Sequence, residues 1–320
     1  MVAGGPLAWN GFLALAYDLC WCPPRSWSSR HGAESPESMK ISCVIVSYNN
    51  GHLLREAITS VVRQSYPIDE IIVADDASTD GSRDLISSFA REYPTIRPIF
   101  RTRNLGVSAN RDLAIREAIG DLITTLDGDD FFLPEKIEAE VLTLRQFSAP
   151  IAFSDVRIID HRTGTDSVES ISSFSELSRS ERVRWLLSHG SHNPQGMLFR
   201  KEIHDAIGGY RHGFRTYEDW DYKIRFVAED CEWTHSGVVG VVIRRHRHGL
   251  SAAPPWRHTT DRLRVVTSNR QLLRKHVGAG FLCRVAGRIA LSGAKWSTLT
   301  LYWQAVRRIR RRRFRYRDSA

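Results

Sequence analysis

From residue 41 onward, short apolar runs alternate with stretches whose apolar positions recur at helical spacing. Ile41–Ser47 is β-branched and predicts a buried strand, followed by the polar turn Tyr48-Asn49-Asn50-Gly51. Leu53, Leu54, Ala57, Ile58, Val61 and Val62 then mark one face of a helix, with Pro67 closing it. Glu70–Ala74 predicts a second buried strand running into Asp75-Asp76, and Asp80 or Ser82 is placed to cap the next helix, Leu85–Tyr93. A third strand is expected around Ile96–Arg101 and a helix over Val107–Ile119. Leu122–Leu126 is a fourth strand, ending abruptly in Asp127-Gly128-Asp129-Asp130. Strand and helix alternating at this interval predict a parallel, doubly wound α/β sheet.

The second half is less regular. It predicts a helix from Leu133-Pro134 to about Phe147, a strand at Ile151–Ile159, a polar turn over Thr163–Ser167, and a mobile serine-rich loop at Ser170–Ser180. Short helices follow at Glu181–His189 and Lys201–Ile207, the latter stopped by Gly208-Gly209. Thr216-Tyr217-Glu218-Asp219-Trp220-Asp221-Tyr222 opens a helix with an acidic first turn, which the helix dipole favours whatever else those carboxylates do. Val238–Ile243 is a late strand. Beyond Pro254-Pro255, residues 258–277 are helical and basic, and Val277–Val306 is amphipathic, with Arg284, Arg288 and Lys295 breaking any span long enough to cross a bilayer. Residues 1–38 lack the charged start of a signal peptide and read as a disordered or mis-called N-terminal extension, with Met39-Lys40-Ile41 as a natural beginning. The expected organisation is 1–38 extension, 39–252 catalytic-type α/β domain, and 253–320 basic helical extension.

Charge changes this picture. The whole chain is +9, yet the segment from Arg244 to the end holds 20 Lys+Arg against Asp261 and Asp318, +18, which leaves −9 for the remainder. An acidic body with a basic tail disfavours nucleic acid as the body's partner, and the Arg307–Arg317 run with interleaved aromatics suits an anionic membrane surface, with weak RNA binding or a disordered solvated tail as the alternatives. The five cysteines are scattered and lack paired metal spacing, which predicts reduced thiols and a cytoplasmic, possibly membrane-peripheral, location.

The candidate chemistry sits at the end of the fourth strand. Asp127 and Asp129 point the same way if the extended backbone continues, and Gly128 permits a close approach or an unusual turn. Convergent carboxylates without thiol or imidazole beside them suit a hard divalent ion, Mn²⁺ or Mg²⁺, that completes its shell with substrate phosphates. A plain surface turn is the competing explanation. No Gly-x-Gly-x-x-Gly or Walker-type loop is present, which disfavours dinucleotide and ATP-loop chemistry.

Four stretches stand in order: Ile41-Ser42-Cys43-Val44-Ile45-Val46-Ser47-Tyr48-Asn49, Val73-Ala74-Asp75-Asp76-Ala77-Ser78-Thr79-Asp80-Gly81-Ser82, Asn104-Leu105-Gly106 through Asn110-Arg111-Asp112, and Leu126-Asp127-Gly128-Asp129-Asp130. With Gly208-Gly209-Tyr210, Glu218-Asp219-Trp220-Asp221 and Arg244-Arg245-His246 … Leu250-Ser251, the chain resembles the family-2 glycosyltransferases over about residues 40–252. The resemblance implies a GT-A (Rossmann-like) nucleotide-sugar-binding domain that inverts the anomeric carbon in one displacement. It implies a nucleotide-sugar donor, UDP-sugar favoured, and a carbohydrate or lipid-linked acceptor in cell-surface polysaccharide or glycolipid synthesis. Carried over by position, Ser47 and Tyr48 would line the nucleobase site, and Asp76 would contact the base, with Asp75 as the less favoured alternative. Arg111 would sit near the ribose or diphosphate and Asp127 near the ribose. Asp129 would hold the metal, helped by His246, with His248 as the alternative. Asp219 would be the general base, with Glu218 beside it. Ala77, where Gly is usual, and Ile243, where an aromatic is common, depart from the pattern without removing a reacting group. The rivals are a nucleotidyltransferase, which would want a Gly/Arg/Lys-rich loop where Asn-Asn-Gly-His stands, and a non-catalytic nucleotide-sugar-binding protein on a degraded transferase fold.

Overall fold

Strands buried on both faces need apolar residues at every position, and the first two strands meet that demand. In a computed structural model that describes residues 39–189, 194–229, 231–247, 249 and 254–292, β1 (Ile41–Ser47) and β2 (Glu70–Asp75) are buried along their whole length. The residues 1–38 and 293–320, with Cys20, Cys22 and the arginine-rich end, lie outside the described residues, as do His248 and the Leu250-Ser251 pair. Two polar exceptions in the strands, Ser42 and Glu70, pair with each other. Ser42 Oγ donates to Glu70 Oε2 at 2.6 Å, and that carboxylate also accepts from the Ile119 N–H at 3.0 Å and from Arg97 Nε at 2.8 Å.

β3 (Ile96–Phe100) and β4 (Leu122–Asp127) complete a parallel quartet in the order β3-β2-β1-β4. Helices α1 (Gly51–Val62), α2 (Ser82–Glu92) and α4 (Lys136–Phe147) pack on the face presented by Ile41, Cys43 and Ile45, forming one core. Helix α3 (Val107–Glu117) packs against β1 and β2 through residues outside that core. The chain leaves β1 towards β2 and β3 and later returns to its other side as β4. This reversal opens a crevice at the carboxyl ends of β1 and β4.

The far half of the sheet continues β8-β6-β9-β5. A short β8 (Leu198–Arg200) pairs antiparallel with both β4 and β6 (Ile151–Asp160), joining the halves. The long β9 (Trp233–Arg245) runs parallel to β6 and carries the two-residue β5 (Phe131–Phe132) on its other edge. The parallel ladders are the longer ones, as a mostly parallel sheet requires. The turn expected at 163–167 falls at 161–164, because Thr165–Glu169 forms β7 on the open side of β6. Its polar residues face solvent and show no apolar alternation. α1 ends at Val62, five residues ahead of Pro67.

Helix α5 (Arg179–His189) starts with a capping box, the Glu181 carboxylate accepting from the Ser178 N–H at 2.8 Å and its hydroxyl at 2.6 Å. α6 (Lys201–Ala206) stops at Gly208, whose φ of +77° suits glycine alone. α7 (Glu218–Ala228), α8 (Pro255–Ser268) and α9 (Arg270–Val277) follow, and residues 279–292 are helical. No described helix is long and apolar enough to cross a membrane. Among the described cysteines, Cys43, Cys231 and Cys283 are free, and burial pushes the Cys43 thiol up to about 12.

Candidate active site

At the end of β4 the main chain turns against β1. The Gly128 N–H donates to the Val46 carbonyl at 2.9 Å, and a Cβ at residue 128 would lie 2.9 Å from that same oxygen. Glycine therefore serves close approach here, and Asp127 and Asp129 leave the strand on either side of the contact. Ligand oxygens of Asp127, Asp129 and Asp130 come within 4.8 Å of one another. His246, just past β9, places Nε2 at 2.9 Å from Asp129 Oδ2. Asp130 is anchored differently, accepting from the Arg244 N–H at 2.8 Å. Burial first, then the neighbouring carboxylates, push Asp129 and Asp130 above the usual carboxylate range, and His246 offsets only part of this at Asp129. Crowded carboxylates whose mutual repulsion is incompletely balanced, all hard oxygen donors, fit a divalent Mg²⁺ or Mn²⁺ ion.

Across the crevice lies the first turn of α7. Arg111, on α3 and 4% exposed, joins the two sides: Nη1 donates to Glu218 Oε1 at 3.1 Å and Nη2 pairs with Asp127. The Arg111 guanidinium also stands 5.4 Å from the Tyr210 ring centre. Asp219 accepts from Gln195 Nε2 and Lys223 Nζ, each at 3.3 Å. Burial would raise its carboxyl, but Lys223, Gln195 and Arg111 outweigh that and hold it below the usual range, ionised. Glu218 goes the other way. Its burial, reinforced by Asp219 and Asp127, exceeds the pull of Arg111, and its carboxyl is pushed up to about 7. Adjacent residues thus hold their protons differently, a hallmark of acid–base sites.

Two cavities meet here. The larger, of about 1010 Å³, runs from the ends of β1 and β2 to β9 and takes in Ser47, Tyr48, Asp76, Asp127 and Asp129. The smaller, of about 480 Å³, contains Arg111, Asp127, Tyr217, Glu218 and Asp219. Asp127 belongs to both, at the junction. Of the residues singled out from sequence, Asp76 is the most constrained: its two oxygens accept from the Leu105 and Gly106 N–H groups, both at 2.8 Å, tying β2 to the start of α3. Ser47 is 3% exposed, Tyr48 is half-exposed at the cavity rim, and Arg111 faces the smaller cavity. Gln195 and Lys223 escaped the sequence reading. Lys223 is legible in hindsight as the i+4 partner of Asp219 on α7, whereas Gln195 lies in irregular chain with no periodic signal.

The sequence model of the family described as "Glycosyl transferase family 2" matches residues 42–208, which end just before the Gly209-Tyr210 turn leading to α7. The uncharacterised glycosyltransferase YwdF of Bacillus subtilis (strain 168) is 33% identical over 189 residues, covering 58% of this chain and 68% of that protein. TuaG of the same organism, named as a teichuronic acid biosynthesis glycosyltransferase, is 30% identical over 114 residues, 36% of this chain and 45% of TuaG. Among solved structures, S. aureus TarS 1–349 in complex with UDP-GlcNAc superposes with a TM-score of 0.61 at 16% identity, covering 74% of this chain and 71% of that one, a likeness of fold. With the matched segment supplying the parallel quartet and its acidic strand end, the chain belongs to glycosyl transferase family 2 and is a glycosyltransferase of the GT-A fold.

Proposed function

We propose that this chain is a metal-dependent, inverting transferase that moves a sugar from a nucleotide-diphosphate sugar, UDP-sugar favoured, to an acceptor hydroxyl in cell-surface polysaccharide or glycolipid synthesis. One observation carries the reading: an ionised Asp219 faces a cavity that meets, at Asp127, a second cavity holding the carboxylate cluster. The larger cavity takes the nucleotide, with Ser47, Tyr48 and Asp76 around the base and Asp127 near the ribose. Asp129, with His246, would hold Mn²⁺ or Mg²⁺, whose charge would stabilise the departing diphosphate. The UDP-GlcNAc in the TarS complex and the polysaccharide role in TuaG's name support the donor and acceptor classes.

The acceptor enters the smaller cavity. Its hydroxyl oxygen attacks the anomeric carbon from the side opposite the diphosphate, the carbon–oxygen bond to the diphosphate breaks, and the hydroxyl proton passes to Asp219. Lys223 and Gln195 keep Asp219 ionised and oriented before that transfer. Arg111 balances Asp127 and Glu218 at the junction. We assign the basic C-terminal segment, Arg307–Arg317, to contact with an anionic membrane bearing the acceptor, at the cytoplasmic face, a reading the charge asymmetry supports.

Asp219→Asn keeps the shape and removes the base. Transfer from a UDP-sugar, read as UDP release, is expected to fall by on the order of 10²–10⁴-fold. UDP affinity should stay within about twofold, since Asp219 does not line the nucleotide cavity. Transfer at the wild-type rate would remove Asp219 from the chemistry.

A further inference from the structure

The family match ends at residue 208, yet helix α8 comes from beyond it and stands against the site. Arg257 lines the larger cavity and the adjacent His258 lines the smaller, so one helix walls both. The same helix grips the segment that delivers Asp219. Thr216 Oγ1 donates to Asp261 Oδ2 at 2.6 Å, and Arg264 Nη1 donates to the Gly213 carbonyl at 2.8 Å with its guanidinium 4.6 Å from the Phe214 ring centre. His258 meets the Tyr217 ring edge-on at 5.7 Å. At the joint with α9, the buried Asn269 donates to Asp221 Oδ1 at 2.7 Å, while Arg211 Nη1 bridges that oxygen and Asn269 Oδ1.

These contacts converge on a strained residue. Tyr217, immediately before α7, has φ +62°, a left-handed conformation that costs a bulky side chain energy and persists only where its surroundings over-determine it. That conformation turns the chain so that Glu218 and Asp219 open α7 facing the smaller cavity. Thr216 on one side of Tyr217 and Asp221 beyond it are both fixed from α8 and its joint.

We propose that α8 is a working wall of the active site and that Asp261, through Thr216 and Tyr217, is a positioning residue for Asp219. The inference rests on Asp219 being the base, as proposed above. It moves residues 254–269 out of the basic extension and into the catalytic unit.

The test uses the full chain with Asp261→Ala, which removes the acceptor of the Thr216 bond, and Asp261→Asn, which keeps an acceptor oxygen. Asp261 lines neither cavity. Three quantities are read: amide hydrogen exchange over residues 213–222, UDP affinity with Mn²⁺ by calorimetry, and UDP release from UDP-glucose, UDP-galactose and UDP-N-acetylglucosamine. In Asp261→Ala, exchange over 213–222 is expected to rise at least about tenfold while the β1–β2 core is unchanged. UDP release should fall at least about tenfold, since displacing a reacting group by ~1 Å costs up to about 100-fold, and UDP affinity should fall less than turnover, because only Gly213, Phe214 and Arg215 of the loosened segment line the larger cavity. Asp261→Asn should restore both. Wild-type exchange and turnover in Asp261→Ala, equal impairment of the two variants, or faster exchange throughout the fold with loss of UDP binding would each overturn the proposal. If the wild type releases UDP from no donor, the UDP-sugar reading fails, and the exchange contrast between the two variants alone decides whether α8 anchors this segment.

Discussion

At the scale of single residues, the site is assembled from groups that give up conformational or electrostatic comfort. Ala77 stands in the turn after Asp75-Asp76 with φ +65°, where a Cβ is disfavoured by about 1–2 kcal/mol. The turn holds because Asp75 Oδ2 accepts from the Ser78 N–H at 3.0 Å and the Asp76 N–H donates to the Ser47 carbonyl at 2.9 Å. Gly at this position removes the strain but adds freedom to the unfolded chain worth about 0.5–1 kcal/mol. Ala77→Gly is therefore expected to stabilise the protein by about 0.5–1 kcal/mol, read as a higher denaturant midpoint at unchanged slope. A lower midpoint would contradict the strained geometry. The departure from glycine at residue 77 was visible in the sequence; that the backbone had kept the glycine conformation was not.

At the scale of elements, α7 shows how one helix start serves folding and chemistry together. The acidic first turn suits the dipole, as the sequence predicts, but the dipole treats Glu218 and Asp219 alike. Their divergence comes from their partners: Gln195 from the loop before β8, Arg111 from α3, and Lys223 one turn along α7 itself. Glu218, at about 7 in the fold, lies above its unfolded value of ~4.3, so the folded state binds the extra proton between those limits. Its contribution to stability is fully present below pH ~4.3 and is lost as pH rises through about 7, with a slope of at most about 1.4 kcal/mol per pH unit. Glu218→Gln should abolish that loss, so that in EDTA the melting temperature of the variant relative to wild type climbs between pH 4.5 and 7. Parallel curves would show that Glu218 titrates normally. The elements themselves were largely legible. Continuous apolar runs exposed β1, β2 and β4, and Gly208-Gly209 marked the end of α6. The strands that were missed lack such runs: β5 is two residues long, β8 three, and β7 is polar because its side chains face solvent. Their pairing is set by tertiary contact, which no local pattern encodes.

At the scale of the molecule, the switch in strand order at β1 and β4 places the acidic strand end in the crevice, and β9 closes the far side with His246 on Asp129. The Asp127–Asp129 pair and the late His246 were readable as motifs, yet their meeting across 117 residues follows from β5, which starts at Phe131, pairing antiparallel with β9. The fold also separates what the sequence ran together: Asp127 stands at the junction of the two cavities, and its ion-pair partner Arg111 lines the smaller one. The proposed function requires that the larger cavity bind a nucleoside diphosphate through a metal held by Asp129. Calorimetric titration of the wild type and Asp129→Ala with UDP, GDP and dTDP, each in Mn²⁺ and in EDTA, tests it most directly. UDP is expected to bind the wild type at least about tenfold tighter in Mn²⁺ than in EDTA, a difference of about 1.4 kcal/mol, and Asp129→Ala to lose this dependence. Equal affinity in Mn²⁺ and EDTA, or no binding of any of the three nucleotides, would contradict it.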